Sequence, residues 1–452
     1  MITINEIALF FLFFEFVAFT YNYKKGVGVF LFIYIVFPQS ITELDFLNLT
    51  MIRLVLLIAL LFFIKEIYFK KDNKSFTFPL WKPVLLFSAF LLPSYLFTEF
   101  SDGFPKGIYN YFVYFFADTF LPGIIVFYSI KSYNDLKIVL KWLVYAILIM
   151  GAYGLIEFAS GFKNIFWEAI AKSSKDVKIY DYQDFDDRLG FTNRVKSTNI
   201  HAIVYGGRLA LFVPLFMMLI ADSRYRRFIR SNILLIIAFA MLIANEFLTL
   251  SRSCWVSAGI AFSVAFFLNR RRYFKRYSAF KFGLLIAAIP LLVYLIPMLI
   301  KIFTKSNIRG SSLSLRADQY HYIFNVIVAK QFYLGFGSAA ISKFLDSGIY
   351  LGALGFESII FEVFVTNGLV GFIGYLILYI AIFRYIFKGN KNNYTKPYFI
   401  ALTIAHLAFV IITGERQTLM LYWIFVCIYI KMDFLFAQEA ELLTTKSDNN
   451  DK

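Results

Sequence analysis

Long apolar blocks, each near twenty residues, recur from one end of this chain to the other and dictate what it can fold into. They centre near residues 4–22, 26–42, 49–69, 79–98, 108–130, 137–159, 200–221, 231–248, 252–269, 282–303, 357–387, 397–413 and 417–436. A helix of about twenty apolar residues spans the hydrocarbon core of a bilayer, so about thirteen transmembrane helices are expected. The blocks are continuous, without the alternation of a transmembrane β-barrel. Only 16% of the residues are charged and 60% are hydrophobic, whereas a soluble chain is about a quarter charged. With a mean hydropathy of +0.68, too little polar surface remains to cover a water-soluble particle. That excludes a cytosolic enzyme, a disordered chain and a disulfide-stapled secreted domain. The expected fold class is all-α, a polytopic integral membrane helix bundle forming one domain over residues 1–436. Residues 437–452 form a polar tail, expected to fray. The first block, MITINEIALFFLFFEFVAF, lacks a basic leader and a small-residue cleavage site, so it is read as a retained helix. Pro93, Pro122, Pro214, Pro290 and Pro297 fall inside blocks and should kink them, which packed neighbours tolerate.

The formal charge of +16, from 45 Lys and Arg against 29 Asp and Glu, does not point to nucleic acid. In a multi-spanning protein such an excess sits in cytoplasmic connections and sets orientation. Lys24-Lys25, Lys70-Lys71-Lys74, Lys131/Lys137/Lys141, Arg224/Arg226/Arg227, Arg270-Arg271-Arg272 with Lys275-Arg276, and Arg384/Lys388/Lys391 mark alternate connections. With thirteen spans all six fall on one side, the cytoplasmic one, leaving the amino terminus outside and the carboxyl tail inside. Cys254 and Cys427 lie far apart, and His201, His321 and His406 are scattered. Neither a disulfide nor a metal site is expected.

The extracytoplasmic side then carries the two longest connections, residues 160–199 and 304–356. The second holds a helical stretch that Ser312 or Ser314 can cap, with Leu315, Tyr320, Ile323, Phe324 and Ile327 on one side at helical spacing. This is expected to be a helix lying along the membrane interface. Long ordered loops on one face of a bundle usually carry function.

No Walker loop, dinucleotide fingerprint, H-E-x-x-H or cysteine cluster is present in the sequence, so a cofactor-independent reaction or facilitated transport is left. Three basic positions on the extracytoplasmic side stand out. Arg252, in NEFLTLSRSCWVSAG, occupies a very short hairpin between apolar helices, where an unpaired arginine is costly. It is either functional, or snorkels to lipid phosphate, or pairs with Glu246. Arg316, in SLSLRADQY, is equally a solvated helix arginine, and Arg194, in GFTNRVKSTN, equally an interface anchor. Arg208 lies about two turns into an apolar block. Glu357 opens the block GFESIIFEVFVTNGLVGFIG; Glu362 is five residues on and does not share its face. A carboxylate at a helix amino terminus is stabilised by the dipole, and can either cap the helix or serve as a general base.

Three of these pieces resemble the O-antigen ligase and O-antigen polymerase superfamily of bacterial cytoplasmic membranes. LTLSRSCW (248–255) is similar to the family's SR hairpin. SLRADQYHYIFNVIVAKQFYLGFGSAAI resembles its arginine-bearing helix and G-x-G turn, here Gly335-Phe336-Gly337. Glu357-Ser358, a nine-residue gap and Gly368-Leu-Val-Gly371 resemble its third element. The likeness covers roughly residues 190–385. Ligases carry His where Glu357 stands, and polymerase members resemble the Glu-Ser version, so the resemblance favours a polymerase.

The resemblance implies a membrane glycosyltransferase that polymerises undecaprenyl-pyrophosphate-linked repeat units of O-antigen, capsule or exopolysaccharide on the extracytoplasmic face of the bacterial inner membrane. It implies Glu357 as general base and Arg252 and Arg316 as catalytic pyrophosphate-binding groups. Arg194, Arg309, Tyr320 and Ser358 are the expected substrate contacts. Arginine can stabilise the two phosphates by bidentate, charge-assisted bonds, so no cofactor or metal is expected. The expected partners are lipid-linked glycans and the bilayer, with a chain-length regulator left open. Two alternatives stand: a ligase or O-linked oligosaccharyltransferase using the same donor, and a secondary transporter or lipid-linked glycan flippase in which Arg208 and Asp118 meet in a central cavity.

Overall fold

A computed structural model describes residues 4–37, 43–44, 49–69, 77–101, 103–168, 194–199, 201–221, 232–276, 320–346, 358–389, 394–413 and 417–450. The helices are α1 (Ile4–Tyr21), α2 (Tyr23–Val36), α3 (Met51–Phe69), α4 (Trp81–Leu96), α5 (Lys106–Ser129), α6 (Tyr133–Ala159), α7 (Ala202–Ala221), α8 (Asn232–Leu248), α9 (Arg252–Arg276), α10 (Ala340–Asp346), α11 (Ile359–Arg384), α12 (Lys396–Thr413) and α13 (Gln417–Asn450). The one strand pair among the described residues is β1 (Glu43–Leu44) with β2 (Leu49–Thr50), antiparallel, with Glu43 opposite Thr50.

Every apolar block but the tenth falls on a helix; residues 282–303 lie outside the described residues. Among the described residues, six helical stretches have the length and apolarity to cross a membrane: Lys106–Ser129, Tyr133–Ala159, Ala202–Ala221, Ile359–Lys388, Lys396–Thr413 and Thr418–Gln438. Elements start where the sequence offers caps. Asn22 accepts from the amides of Lys24 (3.0 Å) and Lys25 (3.2 Å), Ser132 from Asp135, and Ser358 from Ile360 (3.3 Å). Pro93, Pro122 and Pro214 stand within α4, α5 and α7.

Two boundaries differ from expectation. Helix α9 runs on through the basic run to Arg276, and α13 continues to Asn450 where fraying was expected. Arg and Lys in the first case, and Glu439, Ala440, Glu441, Leu442 and Leu443 in the second, are good helix formers that prolong a helix already nucleated.

Helix α7 and residues 418–438 of α13 are buried almost throughout and form the axis of the bundle. Around them, α9 packs on α7 and α12, α5 on α13, α2 on α6, and α4 on α11. Aromatic edge-to-face contacts fill the seams, among them Phe120–Trp423, Phe212–Phe425 and Phe87–Tyr375, each about 4.9 Å between centroids.

One cluster of charged side chains marks one end of this bundle. Lys24 meets Asp135 at 2.6 Å, the Lys131 amide donates to the other Asp135 oxygen at 3.1 Å, and Tyr385 donates to Asp433 at 2.9 Å. The opposite end holds the last turns of α2, α6 and α8 and the first turns of α3, α7, α9 and α11.

Candidate functional site

That opposite end is built from pieces far apart in sequence. Residues 194–199 are held there by the end of α6. The Glu157 carboxyl Oε2 accepts from the amides of Lys196 (3.2 Å) and Ser197 (2.7 Å). Asn164 Nδ2 donates to the Ser197 carbonyl at 2.8 Å, and the Ser197 hydroxyl donates to the Met150 carbonyl at 2.7 Å. Asn164 is oriented in turn by Tyr153, whose hydroxyl donates to its Oδ1 at 2.9 Å. Ser197 adopts a left-handed φ of 51°, which these bonds enforce. The Val195 amide then donates to the carbonyl of Leu248 at 3.1 Å, seating Arg194 beside the end of α8.

Leu248 leads directly into the hairpin that carries Arg252. The hairpin turns through Leu250, at φ 49°. The Thr249 hydroxyl (2.7 Å) and Trp255 Nε1 (2.9 Å) both donate to the Glu246 carbonyl, pinning the turn from either flank. Arg252 is the first residue of α9 and is half-buried. The Glu246 side chain is 3% exposed, and no hydrogen bond reaches either carboxyl oxygen. The Glu246–Arg252 pair weighed from the sequence is therefore not formed.

One turn into α9, Cys254 packs with Phe409 and Val410 of α12, against Ile203 of α7 and Ile359 of α11. Its thiol donates to the Ile203 carbonyl at 3.4 Å and lies within electrostatic reach of Arg194. Ile359 follows Ser358, the buried N-cap of α11. Tyr320 is 38% exposed and sets its ring against Phe361 at 3.9 Å between centroids. Arg194, Arg252, Ser358 and Tyr320 are thus drawn to one end of the bundle around the starts of α9 and α11. Glu357, Arg316 and Arg309 lie outside the described residues; the chain leads to them from Ser358 and Tyr320.

The part of the expected interfacial helix before Tyr320 lies outside the described residues. After Tyr320 the chain runs through a π-helical stretch, Ile323–Ile327, and a 3₁₀ turn, Val328–Lys330. From the expected apolar side, Tyr320, Ile323 and Phe324 pack on α11 beside Phe361 and Phe364, and Val328, Phe336, Ala340 and Phe344 join the same buried cluster with Val365. Leu315 lies outside the described residues, and so does any description of the Ile327 side chain.

The G-x-G turn and the G-x-x-G element clasp each other. Helix α11 breaks at Gly368, at φ 61° and ψ −162°, a conformation essentially reserved for glycine. The break frees main-chain groups that the turn satisfies. Phe336 and Gly337 amides donate to the carbonyls of Val365 (2.7 Å) and Thr366 (3.0 Å). In return the Leu369 and Val370 amides donate to Phe332 (2.8 Å) and Tyr333 (3.1 Å). A Cβ on Gly335 would stand 2.7 Å from the amide nitrogens of Asn367 and Gly368. The loop after α4 joins in, with the Phe100 amide donating to the Phe336 carbonyl at 2.7 Å and Asn367 Nδ2 donating to Ser94 Oγ.

Sequence reading found the arginines and the glycines but not what holds them. Glu157 and Asn164 were missed, although a lone glutamate late in an apolar block was the available signal. Among the described residues no group of His, Cys, Asp and Glu could hold a metal ion.

Residues 237–376 match a family model described as O-antigen ligase. The stretch takes in the Arg252 hairpin, the G-x-G turn and the broken start of α11, and it supports the O-antigen ligase and polymerase superfamily. No curated protein matches the chain.

Proposed function

With an O-antigen ligase segment as the core of a multi-pass membrane protein, we propose that this chain polymerises undecaprenyl-pyrophosphate-linked oligosaccharide repeat units on the extracytoplasmic face of the bacterial inner membrane. The observation that carries this reading is the gathering of Arg194, Arg252, Ser358 and Tyr320 at one end, on elements tied together by Val195–Leu248 and by the Cys254–Ile359 cluster. Arg252, at the amino terminus of a long helix, adds its guanidinium to the dipole and amides of α9, a setting made for phosphate.

In the reaction, the anomeric C–O bond to the donor pyrophosphate breaks and its electron pair goes to the phosphate oxygen. Arg252 and Arg316 receive the charge that develops there, and Arg194 and Arg309 extend the cradle. The acceptor hydroxyl attacks the anomeric carbon and gives its proton to Glu357. Ser358 fixes the start of α11 and hence the place of its neighbour, and Tyr320 offers a ring face to a sugar. The lipid pyrophosphate is already an activated leaving group, so the reaction needs no nucleotide and no metal.

Arg252→Ala, Arg316→Ala and Glu357→Gln are each expected to abolish the polymer ladder while the protein still reaches the membrane. Full-length ladders from all three would remove the assignment. The family description itself favours a second reading, a ligase moving finished glycan to another acceptor. Purified protein given lipid-linked repeat units alone separates the two, because only a polymerase lengthens chains without a second acceptor.

A further inference from the structure

Two glycines and a cysteine meet one turn into the bundle from the Arg252 hairpin. Cys254 is fully buried in the first turn of α9. Gly206 of α7 faces it, and an added Cβ there would stand 2.6 Å from the Cys254 Sγ and 2.7 Å from its Cβ. Gly207, about 100° further round the helix, faces α12, where an added Cβ would run into the Phe409 ring. Helix α7 is thus pressed between α9 and α12, and only residues without a side chain let the backbones come so close. Hydrogen bonds close both seams of α9. The Cys254 thiol donates to the Ile203 carbonyl of α7 at 3.4 Å, and the Ser257 hydroxyl donates to the Ala405 carbonyl of α12 at 2.9 Å.

Every described piece of the candidate site on the bundle hangs on this junction. Arg252 shares a helical turn with Cys254, so the backbone of one moves with that of the other. Ile359, the first residue of α11 after its cap Ser358, packs against the cluster of Cys254, Phe409 and Val410. Arg194 lies within electrostatic reach of the Cys254 thiol. The interior of a helix bundle is close-packed, so a group added at one seam is answered by a shift of the helices and not by compression.

We propose that Gly206, Gly207 and Cys254 are positioning residues, whose small size sets the spacing of Arg252 from Arg194 and Ser358 and so seats the Arg252 guanidinium on the leaving pyrophosphate. The inference rests on the polymerase reading. A guanidinium fork holds phosphate through paired bonds of fixed geometry, which a sideways slip breaks. An alanine Cβ at position 206 needs about 3.5 Å from its neighbours instead of 2.6 Å, so α9 must move away by about 0.9 Å. A misplacement of about 1 Å can cost about a hundredfold in rate. The charge that Arg252 meets develops only as the anomeric C–O bond breaks. The loss therefore falls on kcat, with KM little changed.

The test is steady-state chain lengthening of lipid-linked repeat units by the purified full-length protein in nanodiscs, with kcat expressed per folded molecule. Gly206→Ala is expected to lower kcat by about ten- to a hundredfold and to leave KM within about twofold. Cys254→Gly opens the same seam and is also expected to lower kcat. The double variant carries the missing carbon on α7 instead of α9, and its kcat should recover to within a few fold of the parent protein. That comparison of Cys254→Gly with the double variant stands even where Gly206→Ala alone does not fold. Simple destabilisation predicts that the two losses add. Gly28→Ala is the control, because its Cβ would run into Trp142 between α2 and α6, one turn from Lys24 at the opposite end. It should lower Tm at a parental kcat. A parental kcat in Gly206→Ala, a double variant no faster than Cys254→Gly, or an equal loss of kcat in Gly28→Ala overturns the positioning role. Arg252→Ala is run beside them. Full product from that variant removes the catalytic reading itself, whereas its loss beside a parental Gly206→Ala removes this inference alone.

Discussion

Replacing Glu157 with alanine tests whether the end of α6 places Arg194. The carboxyl group is buried, and one of its oxygens accepts from two main-chain amides, Lys196 and Ser197. Each buried donor left without an acceptor costs about 1–3 kcal/mol, so the substitution destabilises the docked segment by about 2–6 kcal/mol. The segment keeps the Asn164, Met150 and Leu248 bonds, so it loosens while the bundle stays folded. Taking about 3 kcal/mol, local opening becomes more than about a hundredfold more frequent. Glu157→Gln retains an acceptor oxygen and is expected to behave close to the parent protein. The assay is hydrogen exchange of the Lys196 and Ser197 amides in nanodiscs, read beside the polymer ladder. Exchange should accelerate about a hundredfold in the alanine variant and polymer should fall in step. Unchanged exchange would refute the anchoring argument. Fast exchange with a full ladder would show that Arg194 need not be held for the reaction.

Three further outcomes follow from the same geometry. Gly368→Ala forces a side chain into a conformation costing about 1–3 kcal/mol and drives its Cβ toward Tyr333 O and Gly335 N; the turn at 332–337 should become open to protease with loss of product, and resistance equal to the parent protein would contradict the clasp. Arg252→Lys keeps the charge but loses the planar fork, so product formation should fall by about tenfold or more at unchanged membrane abundance; a parental rate would speak against bidentate phosphate binding. Chelation with EDTA should leave the rate of purified protein unaltered, and a loss restored by a divalent cation would contradict arginine-based charge stabilisation.

Much of the architecture could be read from length and apolarity alone, because a helix crossing a bilayer needs about twenty apolar residues and little else. The start of α11 was legible to within a residue: the sequence reading put the helix start and its cap at Glu357, and Ser358 is the N-cap. What stayed hidden depends on pairing across large sequence distances. Glu157 reaches Lys196 and Ser197, and Val195 reaches Leu248, through contacts that no local pattern announces. Periodicity gave one apolar side to Tyr320, Ile323 and Phe324, but apolar spacing does not say whether lipid or protein covers it. Here Phe361, Phe364 and Val365 cover it. Arg208 and Asp118, which the transporter alternative would bring together, both stand around Tyr34: Arg208 donates to the Ile35 carbonyl, and Asp118 takes Arg53 on its carboxylate and the Tyr34 hydroxyl on its carbonyl.

The grip between the turn at 332–337 and the break in α11 is made by amides and carbonyls, with glycine demanded at 335, 337 and 368. A socket of that kind is indifferent to the lettering of what it holds. Phe332, Tyr333 and Leu334 stand exposed on the gripped strand, and they can be exchanged for other residues without disturbing how the strand is seated. Selection for a new sugar can therefore rewrite this rim while the scaffold beneath it stays as it is.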